Sequence, residues 1–335
     1  MLLLSKDDIK KVYSQADAIA DTQRAFELFN AGKIDVPLRT QIKTREGASG
    51  ENVEGTFLCM PSYCASEDAS CVKVLNTFPR NIGNGLATIN AVVLVMDTET
   101  GLMQGILDGT YVTQLRTAGA SGAAIRLLAR KGCRKGALIG TGGQAAAQLE
   151  ALLIAAEPEE VHIFDLNPER AQAFAERMSR ELSGYGAKIV AAPSSDAAVD
   201  EGDVIITVTP STKPVLDGDE VKAGATVCAV GSYQPHMQEI PASLVKRAAK
   251  VYFDSKDAVL AEAGDLIIPL KSGDIDGSTF VADLGDVAAG RAVGRENDEE
   301  IVLFETVGIA AQDLIVAQRI FEKAREAGCG TVWEL

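Results

Sequence analysis

The strongest structural signal in this sequence is the stretch Ala137-Leu138-Ile139-Gly140-Thr141-Gly142-Gly143-Gln144-Ala145. Apolar residues suited to a buried strand lead into a Gly-x-Gly-x-x-Ala pattern, and a helical pattern follows. The first glycine permits a tight turn, the second lets the backbone approach a pyrophosphate, and the small Ala145 lets helix and strand pack closely. Free N–H groups at the start of the helix favour phosphate. The stretch therefore predicts a strand–turn–helix unit that binds a dinucleotide through residues 140–145.

An acidic residue ends the next predicted strand. Asp165 closes the run Val161–Asp165 and lies 25 residues after Gly140. A carboxylate at this position accepts hydrogen bonds from the adenosine ribose and repels a 2′-phosphate, so NAD(H) is favoured over NADP(H). Arg170 is close enough in sequence to keep NADP(H) open as the cofactor.

Short apolar strands alternate with helices around this motif. The candidate helices include Gln144–Ala156 and Pro168–Leu182, and the candidate strands are Ala137–Ile139, Val161–Asp165, Lys188–Ala192, Val204–Val208, Thr226–Val230 and Val251–Phe253. This alternation predicts the α/β class with a Rossmann-type, doubly wound parallel sheet. Ligands of such sheets lie outside the carboxyl ends of the strands, so we expect Thr207, Val208 and Thr209 to line the nicotinamide side. A last helical pattern runs from about Glu299 to Ala327, with an interruption near Gly308.

The part of the chain before this domain has a different character. Ser5 is a candidate helix N-cap, with Asp8 at capping-box spacing. A second helix is predicted from Asp17 to Ala31. From Val36 to about Leu107, β-rich stretches alternate with turn signals. The pattern predicts an α+β domain with an antiparallel or mixed sheet.

The composition limits the classes of partner. The chain has 335 residues, which suggests about two domains, and its formal net charge is −15. This acidity argues against nucleic acid and against an anionic membrane surface, because both require clustered Lys and Arg. No apolar run approaches the length of a transmembrane helix. The net charge describes the average field and not that of a pocket, so a few cations in a cleft could still hold a small anionic substrate.

Cysteine and histidine usage narrows the classes further. The six cysteines form no Cys-x-x-Cys pair and no regular framework, which fits a reducing, cytoplasmic location. Only two histidines are present, and the acidic residues show no ligand cluster. We therefore expect no metal site.

Three cations stand in unusual settings. Arg39 follows an apolar stretch, Lys73 lies inside the apolar run Cys71–Leu75, and Arg116 lies at the expected hinge into the dinucleotide domain. The neighbours of Lys73 indicate partial burial, which requires a charge partner, and a substrate carboxylate could be that partner. Arg suits bidentate carboxylate binding, and Lys is a compact charge that can donate a proton. An ordinary surface cation is the alternative interpretation for each of the three.

These features together resemble the ornithine cyclodeaminase/mu-crystallin family along nearly the whole chain. The motifs that carry the resemblance are Pro37-Leu38-Arg39, Met60-Pro61, Val72-Lys73-Val74, the run 109–118 with Leu115-Arg116-Thr117-Ala118, the run 139–145, Asp283-Leu284-Gly285-Asp286-Val287, Gly290, Gly294-Arg295 and the run 304–314. The Leu-Arg-Thr-Ala element and the Val-Gly-(x)4-Asp-Leu element near the C-terminus are specific in combination.

The resemblance implies a homodimer with two domains in each subunit. Residues 1–117 with 311–335 would form the substrate-binding and dimerisation domain, and 118–310 would form the NAD(P)-binding Rossmann domain. The family's carboxylate-binding Arg, Lys and Arg would correspond to Arg39, Lys73 and Arg116. We also expect Arg116, Thr117, Gly231 and Ser232 to contribute to the cofactor site.

One departure from the family pattern bears on the reaction. Cyclodeaminases and related alanine dehydrogenases have an Asp near the reacting amine in the loop after the fifth strand, where this sequence has Tyr233. A carboxylate can accept the proton of a substrate ammonium. A phenol with an ordinary pKa near 10 does so poorly at neutral pH but can donate a hydrogen bond. The substitution favours the imine-reducing branch of the family.

The leading interpretation is an NAD(P)H-dependent oxidoreductase that reduces a small cyclic imino acid. The expected reaction converts Δ1-pyrroline-2-carboxylate, or a close analogue, to L-proline. Lys73 is the first candidate for the catalytic proton donor, and Tyr233 or an ordered water is the alternative. Three other functions stay open: an ornithine cyclodeaminase that forms proline and ammonia, an alanine-type amino-acid dehydrogenase, and a crystallin-like protein that binds the cofactor without catalysis.

Overall fold

A computed structural model describes residues 1–37, 40–46 and 52–334. The chain divides into two compact units. Unit 1 comprises Met1–Arg116 and Ala310–Leu335, and unit 2 comprises Thr117–Ile309. The domain boundaries expected from the sequence lie one residue away from these.

The described residues form strands and helices in the following order. The strands are β1 (Leu2–Leu4), β2 (Thr40–Glu46), β3 (Asn52–Cys64), β4 (Ala69–Thr77), β5 (Ile89–Met96), β6 (Met103–Asp108), β7 (Lys135–Ile139), β8 (Glu160–Phe164), β9 (Lys188–Ala191), β10 (Val204–Thr207), β11 (Thr226–Ala229), β12 (Lys250–Phe253), β13 (Phe280–Asp283), β14 (Val302–Glu305) and β15 (Thr331–Val332). The helices are α1 (Lys6–Val12), α2 (Gln15–Asn30), α3 (Gly109–Leu128), α4 (Ala145–Ala156), α5 (Pro168–Glu181), α6 (Ser195–Val199), α7 (Ala242–Arg247), α8 (Lys256–Glu262), α9 (Gly264–Ser272), α10 (Leu284–Ala288) and α11 (Ala310–Glu326).

Unit 1 is built on a mixed seven-stranded sheet, as the sequence predicts. Its strand order is β15-β1-β6-β5-β4-β3-β2, with β1 and β6 parallel and the other pairs antiparallel. Helix α11 packs on β3, β4 and β5 and also on α2. The last helix of the chain therefore completes the core of the first part of the chain.

The first two helices of unit 1 begin with capping boxes. The Ser5 side chain accepts the backbone N–H of Asp8, and the Asp8 carboxylate accepts the backbone N–H of Ser5. This confirms the predicted cap. Ser14 and Asp17 repeat the arrangement at the start of α2, two residues before the predicted helix start. Each cap satisfies N–H groups that have no partner within the helix.

The face of the unit 1 sheet opposite α11 carries exposed apolar side chains. Ile42 pairs with Phe57, and Val74 pairs with Val92 in the strand register. These four side chains are 64, 45, 43 and 42% exposed, respectively. Alternation along β4 explains the contrast, because Cys71 and Lys73 point to the buried face while Val74 points away.

Unit 2 is a doubly wound α/β domain. Its eight strands are all parallel in the order β13-β12-β14-β11-β10-β7-β8-β9. All six predicted strands of this domain are confirmed within two residues of their bounds. The order reverses beside β7, the first strand, and such a switch point is where doubly wound sheets bind ligands.

One sequence prediction for this region is wrong. The helical pattern drawn from Glu299 begins instead with a strand, β14, and the helix α11 starts only at Ala310. All four residues of β14 are buried in the middle of a parallel sheet. A strand that is buried on both faces reads as a continuous apolar run, which periodicity alone does not separate from a buried helix.

Candidate active site

Lys73 forms the centre of a buried charge cluster in unit 1. Strand β4 directs its side chain to the face covered by α11, where the side chain is fully buried. Its Nζ lies 2.6 Å from Oδ2 of Asp313, which is 1% exposed and stands in the first turn of α11. The negative carboxylate also suits the positive end of the helix dipole.

Arg116 joins the same cluster. Its Nε lies 3.4 Å from Oδ1 of Asp313, and its Nη1 donates to the side-chain oxygen of Gln312 at 3.4 Å. The Gln312 amide in turn donates to the backbone oxygen of Arg116. Helix α11 thus supplies two consecutive residues that orient Arg116.

The cluster supports only part of the carboxylate clamp expected from the sequence. Lys73 and Arg116 come together on Asp313, and these three side chains carry one positive charge in excess. Arg39 lies outside the described residues. Sequence reasoning missed the role of Asp313, which supplies within the protein the charge partner that buried Lys73 requires. The Val-Gly-(x)4-Asp-Leu element contained this residue and was the available signal.

The dinucleotide motif adopts the predicted strand–turn–helix geometry between β7 and α4. Gly140 has φ 106°, and a Cβ there would lie 2.8 Å from the backbone oxygen of Val208, so only glycine fits. A Cβ at Gly142 or Gly143 would meet no atom within 4 Å. The turn is therefore tight at Gly140 and open at the next two glycines, as a bound pyrophosphate requires.

Asp165 stands directly after β8 and beside this turn. Its Oδ2 accepts the backbone N–H of Thr141 at 3.1 Å and the Thr141 hydroxyl at 2.5 Å. Arg170 Nη2 lies 3.7 Å from the same oxygen. Burial raises the pKa of Asp165, but the hydrogen bonds from Thr141 and Asn167 and the charge of Arg170 outweigh it and lower the pKa below 3.8. The carboxylate is ionised at neutral pH and available as an acceptor.

The loops after β10 and β11 are joined by a residue that the sequence analysis did not single out. The Glu239 carboxylate is fully buried and accepts the Thr207 hydroxyl at 2.9 Å, the Thr209 backbone N–H at 2.6 Å and the Gly231 backbone N–H at 2.7 Å. The Ser232 hydroxyl is fully buried and donates to the backbone oxygen of Met237. The hydroxyls of Thr207 and Ser232 are thus engaged within unit 2, and a cofactor role for these residues stays a prediction.

Three more buried carboxyl groups lie in the same region of unit 2. Asp265 accepts the backbone N–H groups of Glu239 and Ile240, and Asp254 accepts those of Val307 and Gly308. Glu305, at the end of β14, is fully buried, and neither of its oxygens has a hydrogen-bond partner among the described residues. Burial raises the pKa of Glu305 well above 4.5, and the charges of Asp265, Glu239 and Asp254 add to this shift.

Two other predicted site residues differ in their surroundings. Tyr233 is 37% exposed, burial raises its pKa above 10, and its hydroxyl makes no hydrogen bond within the described ranges. Thr117 is 9% exposed, and its buried hydroxyl has no partner among the residues described. Both hydroxyls keep their capacity to donate to a ligand.

Neither a cluster of metal ligands nor a membrane-spanning helix is present among the described residues. In the part of the chain that the structure describes, no group of three or more His, Cys, Asp or Glu side chains is arranged to hold a metal ion. None of the described helices combines the length and the apolar character that crossing a membrane requires.

Comparison with known proteins gives whole-length matches. The sequence profile of the ornithine cyclodeaminase/mu-crystallin family matches residues 1–328. A Δ1-pyrroline-2-carboxylate reductase from Bacillus cereus is 36% identical over 330 residues, covering 98% of each chain. The Thermococcus litoralis Δ1-pyrroline-2-carboxylate reductase in complex with NADH and L-proline superposes with TM-score 0.92 at 38% identity, covering 99% of this chain and 100% of the other. An archaeal alanine dehydrogenase dimer with bound NAD has TM-score 0.89 at 30% identity, covering 100 and 99%.

Proposed function

The chain belongs to the ornithine cyclodeaminase/mu-crystallin family, and from this premise we propose that it is an NAD(P)H-dependent reductase of a small cyclic imino acid. The substrate is Δ1-pyrroline-2-carboxylate or a close analogue, and the product is L-proline or the corresponding cyclic amino acid. The observation that carries the proposal is the whole-length likeness to a reductase whose structure holds both NADH and L-proline.

The substrate carboxylate is assigned to the cations of unit 1. Lys73 and Arg116 hold one positive charge in excess over Asp313, and Arg39 is the third member proposed from the sequence. Asp313 fixes the position of Lys73 Nζ at 2.6 Å and so restricts its side chain to one arrangement. A preordered cation binds a carboxylate without losing side-chain freedom at that moment.

The reaction adds a hydride to C2 of the C=N bond and a proton to the ring nitrogen. The reduced nicotinamide supplies the hydride when it is bound. Lys73 is the first candidate for the proton donor, because its amine pairs with the Asp313 carboxylate in the cation cluster assigned to the substrate. Tyr233 and an ordered water are the alternatives, and the Tyr233 hydroxyl is protonated at neutral pH because burial raises its pKa.

The cofactor is assigned to the open turn of unit 2. The turn at Gly142 and Gly143 leaves room for the pyrophosphate, and it leads into the N-terminus of α4, whose dipole favours a negative charge. Asp165 would accept the ribose hydroxyls and disfavour a 2′-phosphate, so NADH is the preferred reductant. The Thr117 hydroxyl, buried and unpartnered among the described residues, fits the role proposed for it beside the cofactor.

Tyr233 favours reduction over cyclodeamination. A lyase that releases ammonia needs a group that accepts the proton of the substrate amine. The raised pKa of Tyr233 keeps its phenol protonated, so this residue serves as a donor and not as a base. Reduction of an imine needs a donor.

A homodimer is proposed from the exposed apolar face of the unit 1 sheet. Ile42, Phe57, Val74 and Val92 form one continuous patch on neighbouring strands. Soluble proteins cover such patches with a partner, and a second copy of the chain is the proposed occupant. The similar alanine dehydrogenase is itself a dimer. The free state of all six cysteines fits the cytoplasmic location that we also propose.

The proposed function is tested by following absorbance of the reduced nicotinamide. Purified protein is mixed with NADH or NADPH and with Δ1-pyrroline-2-carboxylate or its six-membered analogue. We expect cofactor oxidation with at least one imino acid and faster turnover with NADH. Parallel reactions with ornithine, and with pyruvate plus ammonia, test the lyase and the alanine dehydrogenase. Ammonia release from ornithine without imino-acid reduction would refute the proposal.

A further inference from the structure

Glu239 occupies an unusual position for a buried acid. It lies in the segment between β11 and α7, and its carboxylate reaches the carboxyl ends of β10 and β11. Three donors from two separate loops converge on it: the Thr207 hydroxyl and the backbone N–H groups of Thr209 and Gly231. Further along, the same two loops are also joined by a parallel bridge between Thr212 and Gln238. Glu239 is therefore the side chain that connects them next to the strand ends.

Burial raises the pKa of the Glu239 carboxyl above 4.5, and the hydrogen bonds that it accepts oppose this shift. Oε1 accepts the backbone N–H of Thr209, and Oε2 accepts the backbone N–H of Gly231, so both oxygens act as acceptors. In the described part of the chain, no Lys or Arg forms an ion pair with Glu239, and backbone dipoles supply its stabilisation. Removing an acceptor from these buried donors would leave the donors unsatisfied, which costs more than the net worth of the hydrogen bonds themselves.

The loops can approach only because residue 231 has no side chain. A Cβ at Gly231 would lie 2.2 Å from the backbone oxygen of Thr209 and 2.6 Å from Cδ of Glu239. Asp265 holds the other side of the arrangement by accepting the backbone N–H groups of Glu239 and Ile240. Gly231, Glu239 and Asp265 therefore form one connected cluster at the carboxyl edge of the sheet.

We propose that Glu239 is a positioning residue for the nicotinamide half of the cofactor. Its carboxylate fixes the loops after β10 and β11, and these loops lie on the edge of a doubly wound sheet where the ligand binds. The adenine half depends on the separate turn at Gly140 and on Asp165. The inference rests on the proposed function only in requiring that the protein binds a nicotinamide dinucleotide.

The two halves of the cofactor allow a test that separates positioning from general stability. Dissociation constants for NADH and for ADP-ribose, which lacks the nicotinamide, are measured by calorimetry with the full chain and with Glu239→Gln. The amide retains the size of the side chain but directs an N–H group at N–H donors. We expect the variant to bind NADH about tenfold more weakly, as suits the loss of one buried hydrogen bond, and to bind ADP-ribose within about twofold of the original chain.

Asp203 offers a matched control in the same unit. It is a buried carboxylate that accepts the backbone N–H groups of Arg134 and Lys135, at the opposite edge of the sheet. Asp203→Asn should lower the melting temperature and leave the ratio of the two dissociation constants unchanged. If Glu239→Gln does not fold, Thr207→Val removes one of the three donors and should weaken NADH selectively by a smaller factor.

The outcomes are distinct. The proposal is supported if Glu239→Gln binds NADH more weakly while its binding of ADP-ribose is unchanged. If that variant does not fold, the same result in Thr207→Val supports it. The proposal is overturned if the folded variant has the same ratio of dissociation constants for NADH and ADP-ribose as the original chain. It is also overturned if Asp203→Asn changes that ratio to the same extent. Failure of the unsubstituted chain to bind NADH would instead refute the proposed function, and this result appears before any variant is made.

Discussion

Replacing Glu305 by glutamine should change how the stability of the protein depends on pH. Glu305 lies at the end of the central strand β14, fully buried, with no hydrogen-bond partner for either oxygen among the described residues. Burial raises the pKa of this carboxyl well above 4.5, and three nearby carboxylates, Asp265, Glu239 and Asp254, raise it further. Between pH 4.5 and the raised pKa of the folded state, the folded protein therefore holds a proton here that the unfolded chain releases.

The sign and the size follow from this difference of one proton. The stabilisation is fully present below about pH 4.5 and is lost as the pH rises towards the raised pKa of the folded state. Within this window the original chain loses about 1.4 kcal/mol of unfolding free energy per pH unit relative to the Glu305→Gln variant, which carries no titrating group. The difference in unfolding free energy between the two proteins should therefore shift in favour of the variant as the pH rises above 4.5, and it should level off once the pH passes the raised pKa of the folded state.

The assay is unfolding in urea followed by far-ultraviolet circular dichroism at pH 5, 6, 7 and 8. Midpoints and slopes give the unfolding free energy of each protein at each pH. Glu220→Gln is the control, because Glu220 is an exposed carboxylate of the same unit and its replacement should follow the original chain at every pH. Parallel pH profiles for the original chain and for Glu305→Gln would refute the reasoning, since they would mean that Glu305 is ionised in the folded protein.

Three further outcomes follow from the site. Lys73→Met should abolish imino-acid reduction, while the dissociation constant for NADH measured by calorimetry stays within about twofold. Urea unfolding should show that the variant loses about 3–5 kcal/mol of unfolding free energy, because Asp313 is left buried without its ammonium partner. Asp165→Ser should shift the ratio of kcat/KM for NADPH over NADH upward by at least about tenfold, since Arg170 then meets a 2′-phosphate without a competing carboxylate; an unchanged ratio would contradict the assigned ribose contact. Val74→Glu should convert the proposed homodimer to a monomer in light scattering, because it places a charge in the exposed apolar patch, and a variant that remains dimeric would exclude that face.

Features that depend on neighbouring residues could be predicted from the sequence. The turn at Gly140 follows from the sterics of a few consecutive residues, and the cap at Ser5 follows from a spacing of three. The strands of unit 2 could also be predicted, because short apolar runs between helical patterns are typical of buried parallel strands. Strand β14 is the exception, since complete burial on both faces removes the alternation that distinguishes a strand.

The partners of buried charges could not be predicted in this way. Lys73 and Asp313 are separated by 240 positions, and Glu239 meets Thr207 across 32 positions. The apolar neighbours of Lys73 indicated that it needs a partner, but they did not say which one. Sequence reasoning offered a substrate carboxylate for that role, and the structure places Asp313 there.

The sequence by itself therefore determined the class of the fold, the dinucleotide turn with its acidic residue, and the family. These three features depend on backbone sterics, on the periods of helices and strands and on the order of residues, and all of these are properties of residues that lie close together in the sequence. Only the tertiary structure decided that α11 supplies the carboxylate beside Lys73, and that Glu239 joins two loops while Glu305 remains unpartnered among the described residues. The physical reason is that desolvation makes each buried charge depend on whichever group packing brings to it, and packing is a property of the whole fold.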